Sequence, residues 1–367
     1  MRVTGSARRA SIALVVASCA ALSGCAVGPL AVGREHDEIA AQARVLDELA
    51  RQSDAVIAEF VPEGGAGCSA AVGRDGTVLW AGAGGLADIA AGIPNTPQTR
   101  FEIASLSKQF TATAILMLQR DGALSVADPI GRYVDGLPDW ADTVTLDQLI
   151  HHTSRIPDYW VELDEEDIKF ATPADQATII AAIAREEELD DDGEGFLYSN
   201  SNYVLLAEVA QRVTGAPLSE FLQARIFEPL GLAMVLSPGL TGPDIALPYT
   251  DDSQLYVGGW TAQGAIGIIT TPSELVRWGD QYRAGDIIQD DFAAGAVYEA
   301  EGEYYAAGMD IEVDGDLNHT GLWGGYVSEF TVSEDRRTTI AVTCNAHNGQ
   351  RFPIAEALWA IWRPHGA

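Results

Sequence analysis

Apolar residues recur near helical spacing across residues 36–60, at Ile39, Leu46, Leu49, Val56, Ile57 and Phe60, which predicts a helix with one face for a sheet. The period changes over residues 68–83, where two Val- and Ala-rich runs flank Arg74-Asp75-Gly76 in the pattern of a β-hairpin. A Gly- and Pro-containing stretch over residues 84–99 leads to residues 106–118, which are mostly apolar, lack Pro and Gly, and close on Arg120-Asp121-Gly122. That run reads as a buried helix with a glycine stop. From Asp121 to about Gly285 the pattern is short helices and loops. Strand character returns over residues 304–313, 329–333 and 338–344, and an amphipathic helix over residues 353–362 ends the chain. Strands at both ends around a helical middle imply one α/β domain of residues 36–120 and 286–365, with an all-helical lobe of about 121–285 inserted.

With 367 residues, 47% hydrophobic and 8% aromatic, the chain is globular and large enough for a sizeable core. Its formal charge of −31 excludes a nucleic-acid surface and basic-patch binding to anionic lipid, both of which need clustered Lys and Arg. Residues 1–24 carry Arg2, Arg8 and Arg9 ahead of an apolar run, residues 11–22, that is too short to span a bilayer, so they are expected to be a signal peptide. The run ends in Leu22-Ser23-Gly24-Cys25, similar to the bacterial lipobox, in which the cysteine is lipidated and becomes the mature N-terminus. Residues 25–35 read as a tether. An exported protein on the outer face of the cytoplasmic membrane follows, held by a lipid on Cys25, or secreted if the leader is cut in the ordinary way.

Cys68 and Cys344 lie in strand-like runs, and in an oxidising compartment they either pair, if those strands are neighbours, or stand as isolated buried thiols. No cysteine and histidine spacing resembles a zinc site. Two acidic runs, residues 162–167 and 186–194, lack the alternating ligands and distal glutamate of a calcium loop and read as solvated loops. No metal or cofactor is expected.

The chemistry centres on Ser105-Leu106-Ser107-Lys108 at the head of the buried helix. A serine there has a backbone N–H without a helical partner, at the positive end of the helix dipole. Lys108 follows three residues later on the same face. A desolvated lysine whose pKa falls can take a serine's proton, and an arginine cannot. The chain has only two lysines, Lys108 and Lys169, among 22 basic residues. Taken alone, Lys108 also suits a snorkelling side chain and Ser105 a helix cap.

Two further clusters add to it. In Tyr198-Ser199-Asn200, a tyrosine near a charged lysine can shift toward phenolate and carry protons, while an asparagine amide can grip a substrate carbonyl; a loop tyrosine and a capping asparagine would look the same. In residues 318–326, Asn-His-Thr-Gly-Leu-Trp-Gly-Gly-Tyr, glycines let a backbone edge approach a ligand, and His319 with Thr320 offers donors to a substrate carboxylate. A turn with an exposed histidine is the plainer reading.

In this order, Ser105-x-x-Lys108, Tyr198-x-Asn200 and His319-Thr320-Gly321 resemble the serine β-lactamase family, which includes class C β-lactamases, D-alanyl-D-alanine carboxypeptidases, and related esterases and aminopeptidases. The likeness extends to Leu149-Ile-His-His-Thr-Ser, Pro229-Leu-Gly-Leu and Gly264-Ala-Ile-Gly-Ile-Ile-Thr-Thr-Pro-Ser-Glu-Leu, and covers roughly residues 40–360. The resemblance implies an α+β fold, β-lactamase/transpeptidase-like, with an antiparallel sheet flanked by helices and a site in the cleft beside the helical lobe. It also implies that Ser105 forms an acyl-enzyme with a small-molecule or peptide substrate: a β-lactam, a D-alanyl peptide or an ester. Lys108 and Tyr198 would move the proton, and the backbone N–H groups of Ser105 and Leu322 would form the oxyanion hole. Asn200 would hold the substrate amide, with His319, Thr320 and Gly321 along its carboxylate. A relative that binds such molecules without turnover is the competing expectation. Two departures stand out: His319 replaces the lysine of many β-lactamases, and Arg155 stands where Gly usually follows His-Thr-Ser. Trp323-Gly324-Gly325 resembles a motif of the esterase branch.

Overall fold

The computed structural model describes residues 29–160, 173–190 and 195–363. The expected signal peptide, Cys25, the acidic run at 162–167 and residues 191–194 of the second run lie outside them. Two compact units divide between Val45 and Leu46. Of the first, residues 29–45 are helix, the start of α1 (Pro29–Phe60), with Pro29 at the first position, where its missing N–H costs nothing. Residues 29–35 are therefore helical where a tether was expected.

In the second unit, α1 leads to the hairpin β1 (Cys68–Arg74) and β2 (Thr77–Gly84). Its turn is Asp75-Gly76, with φ of 49° and 71°, the doubly left-handed pair that a two-residue hairpin needs. Next come α2 (Lys108–Arg120), α3 (Asn200–Thr214) and α4 (Pro272–Gly279). The C-terminal part holds β3 (Val297–Tyr298), β4 (Tyr304–Tyr305), β5 (Asp310–Ile311), β6 (Leu317–Trp323), β7 (Tyr326–Val332), β8 (Thr338–Cys344) and α5 (Arg351–Trp362). These strands make one antiparallel sheet in the order β2-β1-β8-β7-β6-β5-β4-β3. The two ends of the chain meet where β1 pairs with β8, and there Cys68 lies opposite Cys344 and is disulfide-bonded to it.

Alternation along the strands decides which layer each residue joins. Cys68, Ala70 and Val72 of β1 with Ile340, Val342 and Cys344 of β8 pack against Val56 and Ile57 of α1 and Ile354 and Leu358 of α5. Residues of the opposite parity, Phe330, Val332 and Ala341, join Leu317 in a larger core with Phe110 and Ile115 of α2 and Trp278 of α4. That core continues into the short helices Leu146–Ile150 and Gln176–Ile183 and into α3, so α2 is buried between sheet and helical part.

Some elements differ from the pattern. Residues 304–313 are two short strands, β4 and β5, separated at Gly308, whose φ is 81°. β6 was not expected at all, because Asn-His-Thr-Gly lacks apolar alternation; the structure carries the alternation as buried Leu317, His319 and Gly321. Within residues 121–285, Val235–Leu236 and Ile268–Thr270 are strands that pair with Phe101–Glu102 into a small sheet. In the same stretch, α4 packs on β1 and β8.

Candidate active site

The small sheet delivers the chain to Ser105. Ile103 N donates to Ile268 O at 2.9 Å, and one Glu102 oxygen accepts from Ala104 N at 3.2 Å and Gly267 N at 3.0 Å. This brace holds Ala104 at φ 51°, a left-handed conformation that costs an alanine roughly 1 kcal/mol. Residues Ala104–Ser107 form a 3-10 turn and α2 begins only at Lys108, so Ser105 sits before the α-helix and not on its first turn. In a 3-10 turn residues i and i+3 eclipse, which sets the Lys108 side chain over Ser105. β6 closes on the same turn: a Cβ on Gly321 would lie 2.2 Å from Ser328 Oγ and 2.5 Å from Ile103 O. Only glycine permits that approach.

Lys108 is fully buried, and its Nζ donates to Ser105 Oγ at 3.0 Å, Asn200 Oδ1 at 2.8 Å and Ala265 O at 3.2 Å. Burial lowers its pKa to about 7, against a smaller upward pull from Asp158. Asp158 in turn accepts from Asn200 N at 2.9 Å and Asn200 Nδ2 at 2.8 Å. It therefore caps α3 and fixes the amide, whose oxygen is spent on Lys108. Asn200 is left with one N–H for a substrate carbonyl. Burial raises the pKa of Asp158, opposed by its hydrogen bonds from Asn200.

Tyr198 reaches the site from the loop before α3, with its ring centroid 4.9 Å from Lys108 Nζ and its hydroxyl hydrogen-bonded with Ser105. Although 36% of the residue is exposed, burial drives its pKa far above the usual phenol value and the bond with Ser105 offsets only part of that. The side chain is a phenol here, which corrects the expectation of a shift toward phenolate. His152, at φ 53°, stacks on Tyr198 at 4.3 Å between ring centroids. Its Nδ1 accepts from Ser199 N at 3.2 Å and faces Asn202 Nδ2 at 3.0 Å, which ties the loop to α3.

His319 is buried, with Nδ1 2.7 Å from Thr320 O and Nε2 3.4 Å from the Tyr305 hydroxyl. A carbonyl only accepts, so Nδ1 carries the proton and Nε2 accepts from Tyr305. Burial first, then Lys108, lowers the His319 pKa to about 3, so the imidazole is neutral. His319 thus offers a substrate carboxylate a neutral imidazole and no positive charge. Ser105, Tyr198, Asn200, His319, Thr320 and Leu322 line one cavity of about 380 Å³ together with Glu299 and Asp310. The two residues expected to supply oxyanion donors, Ser105 and Leu322, share that cavity. Trp323-Gly324-Gly325-Tyr326 is the β6–β7 hairpin turn, with φ of 52° and 91° at the glycines.

Asp158, Glu299 and Asp310 belong to none of the sequence motifs, and His152 lies in the Leu149-Ile-His-His-Thr-Ser landmark without a role assigned there. Asp158 follows the His-Thr-Ser landmark by four residues and had that much signal; Glu299 and Asp310 stand among many acids and had none.

A family model described as Beta-lactamase matches residues 54–361. Penicillin-binding protein 4* of Bacillus subtilis is 29% identical over 320 residues, covering 76% of this chain and 68% of its own length. The next curated relatives are matched over 57% and 38% of their lengths. Among solved structures, a penicillin-binding protein from Bacillus halodurans superimposes with a TM-score of 0.73 at 22% identity, covering 86% of this chain and 99% of that one. A D-amino acid amidase from Ochrobactrum anthropi, complexed with L-phenylalanine amide, does so with a TM-score of 0.70 at 23% identity, covering 87% and 98%.

Proposed function

Because this chain belongs to the Beta-lactamase family, we propose that it is an exported serine hydrolase that forms an acyl-enzyme at Ser105 and hydrolyses an amide or ester. The observation that carries this reading is the desolvated Lys108 Nζ, 3.0 Å from Ser105 Oγ, with a pKa of about 7. Near neutral pH a large fraction of it is the free amine, able to take the serine proton as Oγ bonds to the substrate carbonyl carbon. The carbonyl electron pair moves onto oxygen, beside the backbone N–H groups of Ser105 and Leu322. Such a donor pair is worth several kcal/mol when aimed at the oxyanion. As the oxyanion collapses, the Tyr198 phenol donates its proton to the departing amine or alkoxide and recovers one from Lys108. Water then attacks the acyl-serine, one of its protons passes to Oγ as that bond breaks, and the acid leaves.

The relatives support the amide half of the substrate class: some are penicillin-binding proteins, and one solved neighbour is a D-amino acid amidase complexed with an amino-acid amide. Export is supported by the basic and apolar start of the chain and by the Cys68–Cys344 disulfide, a bond favoured in oxidising compartments. The anchor on Cys25 is tested by metabolic labelling with an alkyne fatty acid, where Cys25→Ala should lose the label.

Activity is tested with a neutral chromogenic ester and a chromogenic cephalosporin, each followed well past one equivalent. Ser105→Ala should remove turnover. Lys108→Arg keeps the charge but cannot deprotonate, and should lose about 10²- to 10⁴-fold. Full activity in Lys108→Arg would sink the proton-transfer role.

A further inference from the structure

The catalytic cavity is walled on one side by carboxyl groups. Glu299 follows β3 and Asp310 opens β5, in the three short strands that extend the sheet past β6, and both line the cavity with Ser105, Tyr198 and Thr320. The two carboxyls hydrogen-bond each other. Burial first, then the neighbouring Glu299, pushes Asp310 up to about 9, and burial raises Glu299 as well. Near neutral pH the pair therefore shares a proton.

The rest of the described lining adds no positive charge. Among the described residues, neither lysine nor arginine lines the cavity. His319 is neutral, and Lys108, behind Ser105, has its Nζ held by Ser105, Asn200 and Ala265. A substrate carboxylate placed here would face a carboxyl pair with no cation among the described lining residues to offset it. An ammonium would be attracted by the pair and by a chain of formal charge −31.

We infer that Glu299 and Asp310 are specificity residues that bind a positively charged amine, so that the preferred substrates are amino-acid amides or esters and peptides with a free α-amine. The inference rests on the Ser105 hydrolase reading. Carboxylate-bearing acyl donors are then poor substrates.

The test measures kcat/KM of the full chain at pH 7 for phenylalanine 4-nitroanilide, both enantiomers, and for its N-acetyl and N-succinyl derivatives, with 4-nitrophenyl butyrate as a neutral reference. The free amine should exceed the acetylated form at least tenfold in one enantiomer, and the succinylated form should be the slowest. Asp310→Asn and Glu299→Gln should each shrink the amine-to-acetyl ratio severalfold. An acetyl or succinyl derivative turned over as well as the free amine, or a ratio unmoved in both variants, overturns the assignment. Hydrolysis of the butyrate with no anilide turned over also overturns it, while leaving the serine hydrolase standing. No hydrolysis of any of these compounds removes both.

Discussion

Lys108 Nζ donates to Asn200 Oδ1 at 2.8 Å, and the other end of that amide donates to Asp158 Oδ2 at the same distance. Asp158 thereby acts on the nucleophile's base from two bonds away: it fixes the amide that holds Lys108, and its charge pulls the lysine's pKa upward against burial. Because the free amine is the active form, kcat/KM should rise with pH through about 7 in the native protein. Asp158→Asn keeps an acceptor but removes the charge. Its ascending limb should move to lower pH, while the plateau drops severalfold from the loosened amide. A limb that stays in place would remove Asp158 from this role.

Glu102 braces the turn before Ser105 with a buried carboxyl that has two backbone donors and a pKa raised by burial to about 7. A raised acid holds its proton in the folded state after the unfolded chain has lost it, so stability falls as pH rises from about 4.5 to about 7. The loss is at most about 3.5 kcal/mol, at roughly 1.4 kcal/mol per unit. Glu102→Gln keeps the acceptor and should abolish this fall, with a higher Tm than the native protein at pH 8. Calorimetry at pH 5 and pH 8 checks it.

Arg155 has φ 63°, which explains why glycine is usual after His-Thr-Ser and shows that the turn survives its replacement. Part of the strain, roughly 1 kcal/mol, is offset because Arg155 Nε donates to Asp190 O at 3.0 Å and Asp190 N donates to Arg155 O at 2.9 Å. Arg155→Gly should change stability by less than about 1 kcal/mol. Arg155→Val, which also loses the Asp190 contact but is β-branched, should cost at least about 1 kcal/mol more. Equal effects would mean that the backbone is not what matters there.

The Cys68–Cys344 bond ties β1 to β8 across a sequence separation of 276 residues. Constraining so long a loop is worth roughly 2–5 kcal/mol. Cys68→Ser with Cys344→Ser should lower Tm by several degrees with kcat/KM retained, since neither residue lines the catalytic cavity. A denaturant titration of both forms measures the difference.

What the chain disclosed before folding was local chemistry. Ser105 and Lys108 are three residues apart and Tyr198 and Asn200 two, so their side chains were paired by spacing alone. The α2 run and the Asp75-Gly76 hairpin were legible for the same reason: periodicity and turn chemistry are short-range signals. β6 was hidden because its buried positions are Leu317, His319 and Gly321, of which only one is a typical core residue. The protonation states were out of reach. Tyr198 is a phenol and His319 neutral because of burial by distant elements, and no spacing records burial. Asp310 and Glu299 reach Ser105 only through the order of strands β3 to β6, which the sequence does not encode in any local pattern.

Ser105 is expected to carry a covalent acyl group during turnover. Acid quenching during turnover of 4-nitrophenyl butyrate, followed by peptide mass mapping of the protein, measures it directly. A butyryl increment is expected on the peptide that carries Ser105, and it should be lost in Ser105→Ala together with nitrophenol release. A butyryl group on any other residue, or turnover undiminished in Ser105→Ala, would contradict it.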